Sequence, residues 1–316
     1  MKAKEPASLQ EAVIYFADSS NCREYVVSRR WPNGVICPTC GCSDVIFLAK
    51  QNRWQCRQKH SQRQFSLKTG TIYEDSPLGL DKWLVATWLV ANCKNGVRSC
   101  EIARALKVTQ KTAWFMDHRI RVSFGLESPD KLTGHVEADE TFIGGKARNM
   151  HKAERALKIT GTGGKDKTAV MGILERGKDG TSKVCTAVIP YRKKKAIQSD
   201  VRKHVEAGSA LYSDSLRSYD GLNEFEHQVI DHAVQYVDGA VHTNGLENFW
   251  SLLKRGINGT YVSVEPYHLF RYLDEQVYRF NNRKMTDAER FDMAVRGIAG
   301  KRLTFDQLTG KAEAQV

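Results

Sequence analysis

The sequence predicts an α/β layer domain over residues 134–285, preceded by an N-terminal helix with a small metal-stapled β module (1–75) and a helical region (76–127). Three observations predict this. Four cysteines fall between positions 37 and 56, an apolar helical run occupies 83–92, and apolar and polar residues begin to alternate at position 134. Residues 286–316 form a tail without a readable role. A chain of 316 residues is long enough for two or three domains.

The charge of the chain is unevenly distributed. It carries 48 Lys and Arg against 36 Asp and Glu, a net charge of +12. Residues 1–133 have a net charge of +8 and residues 134–316 a net charge of +4. A basic N-terminal half favours a module that binds a polyanion, although many basic proteins bind no nucleic acid.

Composition excludes two other classes of protein. Hydrophobic residues make up 41% and charged residues 27%, an ordinary globular balance that argues against disorder. No stretch approaches the roughly 18 consecutive apolar residues that a membrane span needs. The first residues lack the apolar segment of a secretory signal, so we expect a cytoplasmic protein with no membrane partner.

The first module contains a candidate zinc site. Cys37 and Cys40 form a C-x2-C pair, and Cys56 and His60 follow in a C-x3-H pair. This spacing is typical of structural zinc ligands, and a β module this small needs such a staple. Position 59 is a lysine, where a second C-x2-C pair would have its cysteine. The fourth ligand is therefore His60 or, as the alternative, Cys42.

The helical region predicts a helix-turn-helix over residues 99–121. A buried helix at 83–92 is followed by two helices that divide near Lys107, where such motifs usually have glycine. Thr109 would cap the second helix, whose first turn would read DNA bases and whose last turns would reach phosphates. The predicted DNA contacts are Gln110, Lys111 and Thr112 for bases, and Arg119 and Arg121 for phosphates. A plain helical hairpin is the alternative.

The α/β domain begins with three strands. They lie at 134–145, 168–177 and 182–190, and an Asp-Gly turn signal joins the last two. A helix at 193–208, a fourth strand at 210–215 and helices at 244–257 and 265–283 follow. The apolar stripe predicted for the last helix comprises Leu269, Tyr272, Leu273, Gln276, Val277 and Phe280.

Three acidic residues occupy positions that suit a metal-dependent nuclease. Asp139 lies in the middle of the first strand, Asp214 at the end of the fourth strand, and Glu247 in the first turns of a helix. Two-metal phosphodiester chemistry needs hard oxygen ligands that hold two Mg²⁺ (or Mn²⁺) ions about 4 Å apart. Neighbouring strands and a facing helix can supply them.

Several neighbours compete with these three acids or support them. Glu137 and Glu140 flank Asp139, and strand alternation places Glu137 on the same face. Asn244 precedes Glu247 by one helical turn and is a reserve metal ligand. Lys254 shares the face of Glu247 and could hold the scissile phosphate, and Arg255 beside it is a further predicted DNA contact. A solvated helix end is the simpler interpretation of Lys254 and Arg255. Phe249 and Trp250 follow the apolar face of the same helix and are predicted to be buried.

Taken together, these motifs resemble the bacterial insertion-sequence transposases of the DDE class, in the ISXO-type group related to the eukaryotic Merlin elements. The resemblance covers nearly the whole chain. The residues that carry it are CPTC…WQC (37–56), QFSLKTGTIYEDSPLGLDKW (64–83), QKTAWFMDHRIR (110–121), VEADETFIGGK (136–146), KTAVMG (167–172), LYSDSLRSYDGL (211–222), VHTNGLENFWSLLKRGINGTY (241–261) and HLFRYLDEQVYRFNNRK (268–284).

The resemblance implies a fold and an activity. It implies an RNase-H-like catalytic core, which is a mixed sheet flanked by helices, and Mg²⁺-dependent cleavage of double-stranded DNA at the inverted-repeat ends of the element. The freed 3′-hydroxyls would then attack target DNA. The acids of the family fall on Asp139, Asp214 and Glu247, with Asn244 in reserve and Lys254 behind the third acid. Two DNA ends must be held together, so a homodimer or larger assembly in the bacterial nucleoid is expected.

Two further expectations complete the sequence-based prediction. Residues 146–167 hold seven Lys and Arg against Glu154 and Asp166, which predicts a mobile loop that contacts DNA. The alternative to a transposase is a catalytically silent DNA-binding regulator that kept the fold, and intact acids at all three positions argue against it. A nuclease that cuts without joining is a second alternative.

Overall fold

The computed structural model describes residues 4–125, 130–144, 151–153, 167–177, 181–189, 193–230 and 242–311. Contacts between residues divide the chain into two compact units. The first unit comprises Met1–Leu126 together with Met285–Val316, and the second comprises Glu127–Lys284. The tail at 286–316 therefore contributes to the first unit. No described helix combines the length and the apolar character that a membrane span requires.

The first unit consists of helices around a small antiparallel sheet. Its elements are α1 (Leu9–Phe16), α2 (Ser19–Arg30), β1 (Val45–Leu48), β2 (Arg53–Cys56), β3 (Gln64–Phe65), α3 (Leu80–Asn92), α4 (Ser99–Leu106) and α5 (Gln110–Phe124). Two helices from the end of the chain complete it. They are separated from α5 by the whole second unit and span Asp287–Arg296 and Phe305–Leu308.

An aromatic cluster holds the two ends of the first unit together. Phe16 of α1 and Tyr25 of α2 pack against Phe291 of the Asp287–Arg296 helix, with ring centroids 5.6 and 5.4 Å away. Trp88 of α3 lies 4.9 Å from the same ring. Aromatic pairs at such distances stabilise a core beyond the area that they bury, so the C-terminal helix is part of this core.

The turn between α4 and α5 is a tight corner of three residues, 107–109. Lys107 ends α4 in the left-handed conformation, with φ 50° and ψ 55°. The side chain of Thr109 caps α5 by accepting a hydrogen bond from the backbone N–H of Thr112. The two predicted helices are therefore present, and Lys107 adopts the conformation that glycine would adopt at lower cost.

The second unit is built on a five-stranded mixed sheet. Its strands are β4 (His135–Ile143), β5 (Thr168–Glu175), β6 (Lys183–Ile189), β7 (Ala210–Asp214) and β8 (Glu226–Ile230), in the order β6-β5-β4-β7-β8. β4, β5 and β6 are antiparallel neighbours, whereas β7 pairs in parallel with both β4 and β8. This confirms the predicted mixed sheet flanked by helices.

Helices cover both faces of this sheet. They are α6 (Lys194–His204), α7 (Asn244–Arg255) and α8 (Leu269–Asn281). Ile197 and Val201 of α6 pack on one face with Ala138 of β4. Leu246 of α7 and Leu273 of α8 pack on the other face. The central strand β4 is thus buried between two helical layers, and this placement brings α7 against its polar residues.

The structure corrects several predicted boundaries. The helix predicted at 193–208 ends at His204, because Val205 turns into extended backbone and bridges to Leu132. Strand β8 was not predicted. The helix predicted at 265–283 begins at Leu269 after a short 3-10 turn, and four residues of its predicted stripe are buried while Tyr272 and Val277 are partly buried.

Candidate active site and metal centre

Four side chains from β2 and the loops around the small sheet converge on one point. They are Cys37, Cys40, Cys56 and His60, and their ligand atoms all lie within 4.8 Å of one another. The Sγ atoms of Cys40 and Cys56 are 3.6 Å apart, and Cys37 Sγ lies 3.5 Å from Nε2 of His60. A tetrahedral zinc with sulfur bonds of about 2.3 Å holds its sulfurs about 3.8 Å apart. The cluster therefore fits a structural zinc ion.

Cys42, the alternative fourth ligand, lies outside this cluster. Its Sγ accepts a hydrogen bond from the backbone N–H of Asp44. His60 instead places Nε2 against Cys37. Burial raises the pKa of the Cys37 thiol, but backbone N–H groups of Cys40 and Thr39 outweigh it and lower that pKa overall, which favours the thiolate that zinc binds.

Two of the three predicted acids lie side by side on neighbouring strands. Ala138 of β4 pairs with Ser213 of β7 in parallel register, and Asp139 and Asp214 follow directly in each strand. Because residues that are level in neighbouring strands point to the same face, both carboxylates face α7 at a spacing of about 5 Å between backbones. The predicted positions of Asp139 in mid-strand and Asp214 at a strand end are both observed.

Asp139 is a partly buried carboxylate held by two hydrogen bonds. Its Oδ2 accepts a bond of 2.9 Å from Nε1 of Trp250, and its Oδ1 accepts one of 2.8 Å from the backbone N–H of Glu140. Burial raises the pKa of Asp139 to about 6. The bond from Trp250 opposes this rise, whereas the charges of Glu140 and Asp214 add to it. A carboxylate in this setting gains from a bound cation.

Glu137, the rival on the same face, has a different environment. It is 1% exposed, and its Oε1 accepts a hydrogen bond of 2.7 Å from Nε of Arg176. Its Oε2 accepts a bond of 2.9 Å from the backbone N–H of Leu246, in the first turn of α7. Arg176 also donates to the carbonyl oxygen of His242. Arg176 thus neutralises Glu137, which fixes the start of α7. Asp139 and Asp214 remain as the two partly buried acids on this face of the sheet.

The second rival, Glu140, points to the opposite face of the sheet. It accepts a hydrogen bond from the hydroxyl of Tyr219, which is fully buried. Burial, together with the charge of Glu140, raises the pKa of that hydroxyl well above its usual value, so it stays a donor at physiological pH. Glu140 therefore accepts a buried hydrogen bond on the face of the sheet opposite to Asp139.

Helix α7 presents one edge to the two strand acids. Leu246, Phe249, Trp250 and Leu253 are buried against the sheet, which confirms the predicted core role of Phe249 and Trp250. Glu247 and Lys254 lie three residues before and four residues after Trp250, so all three share one side of the helix. Because Trp250 contacts Asp139, that side is the one that faces the site.

The remaining predicted residues of α7 are exposed. Glu247, Asn244, Lys254 and Arg255 are all accessible to solvent. Asn244 lies one turn before Glu247 on the exposed flank, whereas Arg255 points away from the side that Trp250 defines. In the described part of the chain, the oxygens of Asp139, Asp214 and Glu247 are not gathered as tightly as the cysteine–histidine cluster.

Two predicted DNA contacts of α5 are wrong. Arg119 and Arg121 are 3% and 1% exposed, so neither reaches a phosphate. The guanidinium of Arg119 donates to the carbonyl of Glu74 and lies 5.2 Å from the ring of Trp83. Both arginines support the core because nearly every residue in the second half of α5 is buried.

The predicted base-reading residues lie at the accessible start of α5. Gln110 and Lys111 are exposed and Thr112 is partly exposed. Nε2 of Gln110 donates to the hydroxyl of Ser99, and Nζ of Lys111 lies 4.7 Å from the ring of Phe305 in the C-terminal helix. This first turn and the preceding corner are accessible to solvent.

Most of the predicted basic loop at 146–167 lies outside the described residues. The polar contacts of Arg176 and Trp250 and the close approach at Gly172 were not predicted from the sequence. Gly172 is level with Asp139 in the β4–β5 register, and a Cβ there would lie 2.5 Å from Cζ2 of Trp250. A glycine inside an otherwise apolar strand is the signal that could have indicated this close approach.

Comparisons with known proteins identify the family of the chain. Residues 131–281 match the family of ISXO2-like transposase domains, and residues 17–62 match the transposase zinc-ribbon domain. A protein of the transposable element ISH50 from Halobacterium salinarum is 30% identical over 246 residues, which are 72% of this chain and 80% of the relative. A transposase-like protein from Haemophilus influenzae is 34% identical over 102 residues, 32% of this chain and 82% of the relative. No solved structure matches this chain.

Proposed function

The chain belongs to the family of ISXO2-like transposases, and we propose that it cleaves the ends of its insertion sequence and joins their 3′-hydroxyls to target DNA. The observation that carries this proposal is the pair of level carboxylates on β4 and β7, Asp139 and Asp214, which face the side of α7 that bears Glu247. Acids from two adjacent strands and one helix can hold two divalent ions.

The donor set fits hard divalent cations. Asp139, Asp214 and Glu247 offer only carboxylate oxygens, which Mg²⁺ and Mn²⁺ prefer. Asp139 forms no ion pair with a basic side chain among the described residues, while the neighbouring Glu137 is already neutralised by Arg176. When bound, the ions would lower the pKa of the attacking water or 3′-hydroxyl and stabilise the leaving oxygen. Asn244 remains a reserve ligand.

The residues around these acids would bind and orient DNA. Lys254 lies on the side of α7 that faces the site, at a distance of two turns from Glu247, where its ammonium group would hold a backbone phosphate. Arg255 points away from that side and would contact flanking DNA. These contacts would be independent of sequence and would weaken with salt.

Recognition of the terminal inverted repeats would fall to the first unit. The exposed first turn of α5, with Gln110, Lys111 and Thr112, is the candidate base-reading surface. The zinc ion held by the cysteine–histidine cluster would have a structural role, because all four of its ligands are protein side chains. We expect a dimer or larger assembly when two ends are synapsed.

A cleavage and joining assay tests this proposal. Labelled DNA carrying the terminal repeats is incubated with Mg²⁺ and either the wild type or Asp214→Ala, and both nicking and strand transfer are measured. The expected result is loss of both reactions with retained binding of the ends. Equal activity of the two proteins would refute the assignment of Asp214. Tight end binding without activity of the wild type would favour a catalytically silent regulator.

A further inference from the structure

The indole of Trp250 makes a polar contact in addition to packing in the apolar core. It is 4% exposed, and its single polar atom donates a hydrogen bond of 2.9 Å to Oδ2 of Asp139. Oδ1 of Asp139 accepts a second bond from the backbone of Glu140. A carboxylate offers about four acceptor positions, so these two bonds fix its plane and leave acceptor positions for a cation.

The sheet is shaped to admit this indole. Gly172 of β5 is level with Asp139, and a Cβ at that position would lie 2.5 and 2.7 Å from Cζ2 and Cη2 of Trp250. Real Cβ atoms do not approach other atoms so closely, so only glycine leaves room for the ring at this position beside Asp139. The contact between Trp250 and Asp139 therefore depends on both elements, on a glycine in the sheet and on an indole in the helix.

The same contact sets the rotation of α7. Glu247 precedes Trp250 by three residues and Lys254 follows it by four, so the three side chains share one side of the helix. If the indole is tied to Asp139, the carboxylate of Glu247 is held on the side of α7 that faces Asp139 and Asp214. One hydrogen bond thus orients the first acid and, through the helix, the third.

From this geometry we infer that Trp250 is a positioning residue of the metal site, acting through Asp139 and requiring Gly172 for its placement. The inference rests on the proposed two-metal function. Loss of a hydrogen-bond partner behind a metal ligand lowers metal affinity about 10- to 100-fold. Trp250→Phe removes the N–H group and keeps an aromatic ring, and Gly172→Ala keeps the N–H group but displaces the ring.

Mn²⁺ binding to the full-length, zinc-loaded protein tests the inference without DNA or activity. Electron paramagnetic resonance of free Mn²⁺ gives the binding isotherm, and the site is defined as the binding lost in Asp139→Asn. We expect Trp250→Phe and Gly172→Ala each to weaken this binding about tenfold or more. Gly172→Ala should add little in the Trp250→Phe background, because the smaller ring accommodates the Cβ. Gly259→Ala is the matched control, since no atom lies within 4 Å of a Cβ placed there.

A second measurement remains informative if a variant folds poorly. The chain has six tryptophans, and Trp250 is the one within residues 127–284. In protein labelled with ¹⁵N-tryptophan, its indole signal should shift on addition of Mg²⁺ and should not shift in Asp139→Asn. A Trp250 signal that does not respond to Mg²⁺ in the wild type would overturn the inference.

The outcomes separate the inference from the proposed function. If Asp139→Asn binds Mn²⁺ as the wild type does, the metal site itself is refuted and the inference fails with it. If Asp139→Asn loses binding but Trp250→Phe retains wild-type affinity, the metal site stands and the indole only packs. Weakened binding in Gly259→Ala as well would show a general response to glycine replacement and would also overturn the inference.

Discussion

The burial of Asp139 predicts that this carboxylate lowers the stability of the metal-free protein. An aspartate in an unfolded chain has a pKa near about 4, whereas burial raises the pKa of Asp139 to about 6 in the fold. Because the folded-state pKa is raised, the contribution of the protonated group to stability is complete below about pH 4 and is lost as the pH rises through about 6. Above that pH the charged carboxylate opposes folding.

The size of this effect follows from the shift. One pKa unit corresponds to about 1.4 kcal/mol, so two units give an upper limit of about 3 kcal/mol at pH 8. Asp139 is partly exposed, which reduces the expected value to about 1 to 2 kcal/mol. Asp139→Asn removes the charge with little change in volume. In the absence of Mg²⁺, we therefore expect this variant to be more stable than the wild type at pH 8.

Hydrogen exchange in the second unit measures this difference locally. Protection of amides in β4 and β5 gives the free energy of opening of the sheet once intrinsic exchange rates are corrected for pH. The gain of Asp139→Asn over the wild type should grow by up to about 1.4 kcal/mol between pH 5 and pH 8. A gain that does not depend on pH, or an Asn variant that is less stable at pH 8, would refute the reasoning. Added Mg²⁺ should stabilise the wild type alone.

Three further predictions concern other parts of the molecule. Lys107→Gly should stabilise the first unit by about 0.5 to 1 kcal/mol in thermal or urea unfolding, because glycine adopts the left-handed corner without a Cβ clash; an unchanged midpoint would show that the corner is unstrained. Cys56→Ser should release zinc, measured by a colorimetric chelator, whereas Cys42→Ser should retain one equivalent; equal zinc content would contradict the ligand assignment. Arg176→Ala should destabilise the second unit by about 3 kcal/mol, because it leaves Glu137 charged and buried; a change below about 1 kcal/mol in exchange protection of β4 would contradict this.

The secondary structure was largely predictable because its signals are local. Strands β4 to β7 follow from alternation and turn residues, and α7 and α8 follow from apolar residues at helical spacing. β8 was missed because Glu226–Ile230 is a short edge strand with weak alternation. The early end of α6 at His204 depends on the bridge between Val205 and Leu132, a contact between residues distant in sequence that no local pattern encodes.

The candidate site was predictable in its residue types but less so in its contacts. The spacing of the cysteines indicated the ligands of the first module, and the strand positions indicated Asp139 and Asp214. The burial of Arg119 and Arg121 was not predictable, because basic residues near the end of an amphipathic helix usually face solvent. Here α5 packs against α3 and the C-terminal helices. The sequence of residues 286–316 does not indicate that they belong to the first unit.

Glu137 and Asp139 lie on the same face of β4 and are equal candidates by sequence, but their surroundings give them different roles. Glu137 and Asp139 point the same way and contact the same helix, yet Glu137 has a guanidinium 2.7 Å away and a backbone N–H from Leu246. A buried charge that is already paired gains little from a metal ion and loses its partner if it turns to bind one. Among the described residues, Asp139 has only neutral donors, Trp250 and a backbone amide, so a cation relieves the cost of its burial. The structural acid and the proposed metal ligand are therefore distinguished by the single arginine at the end of β5.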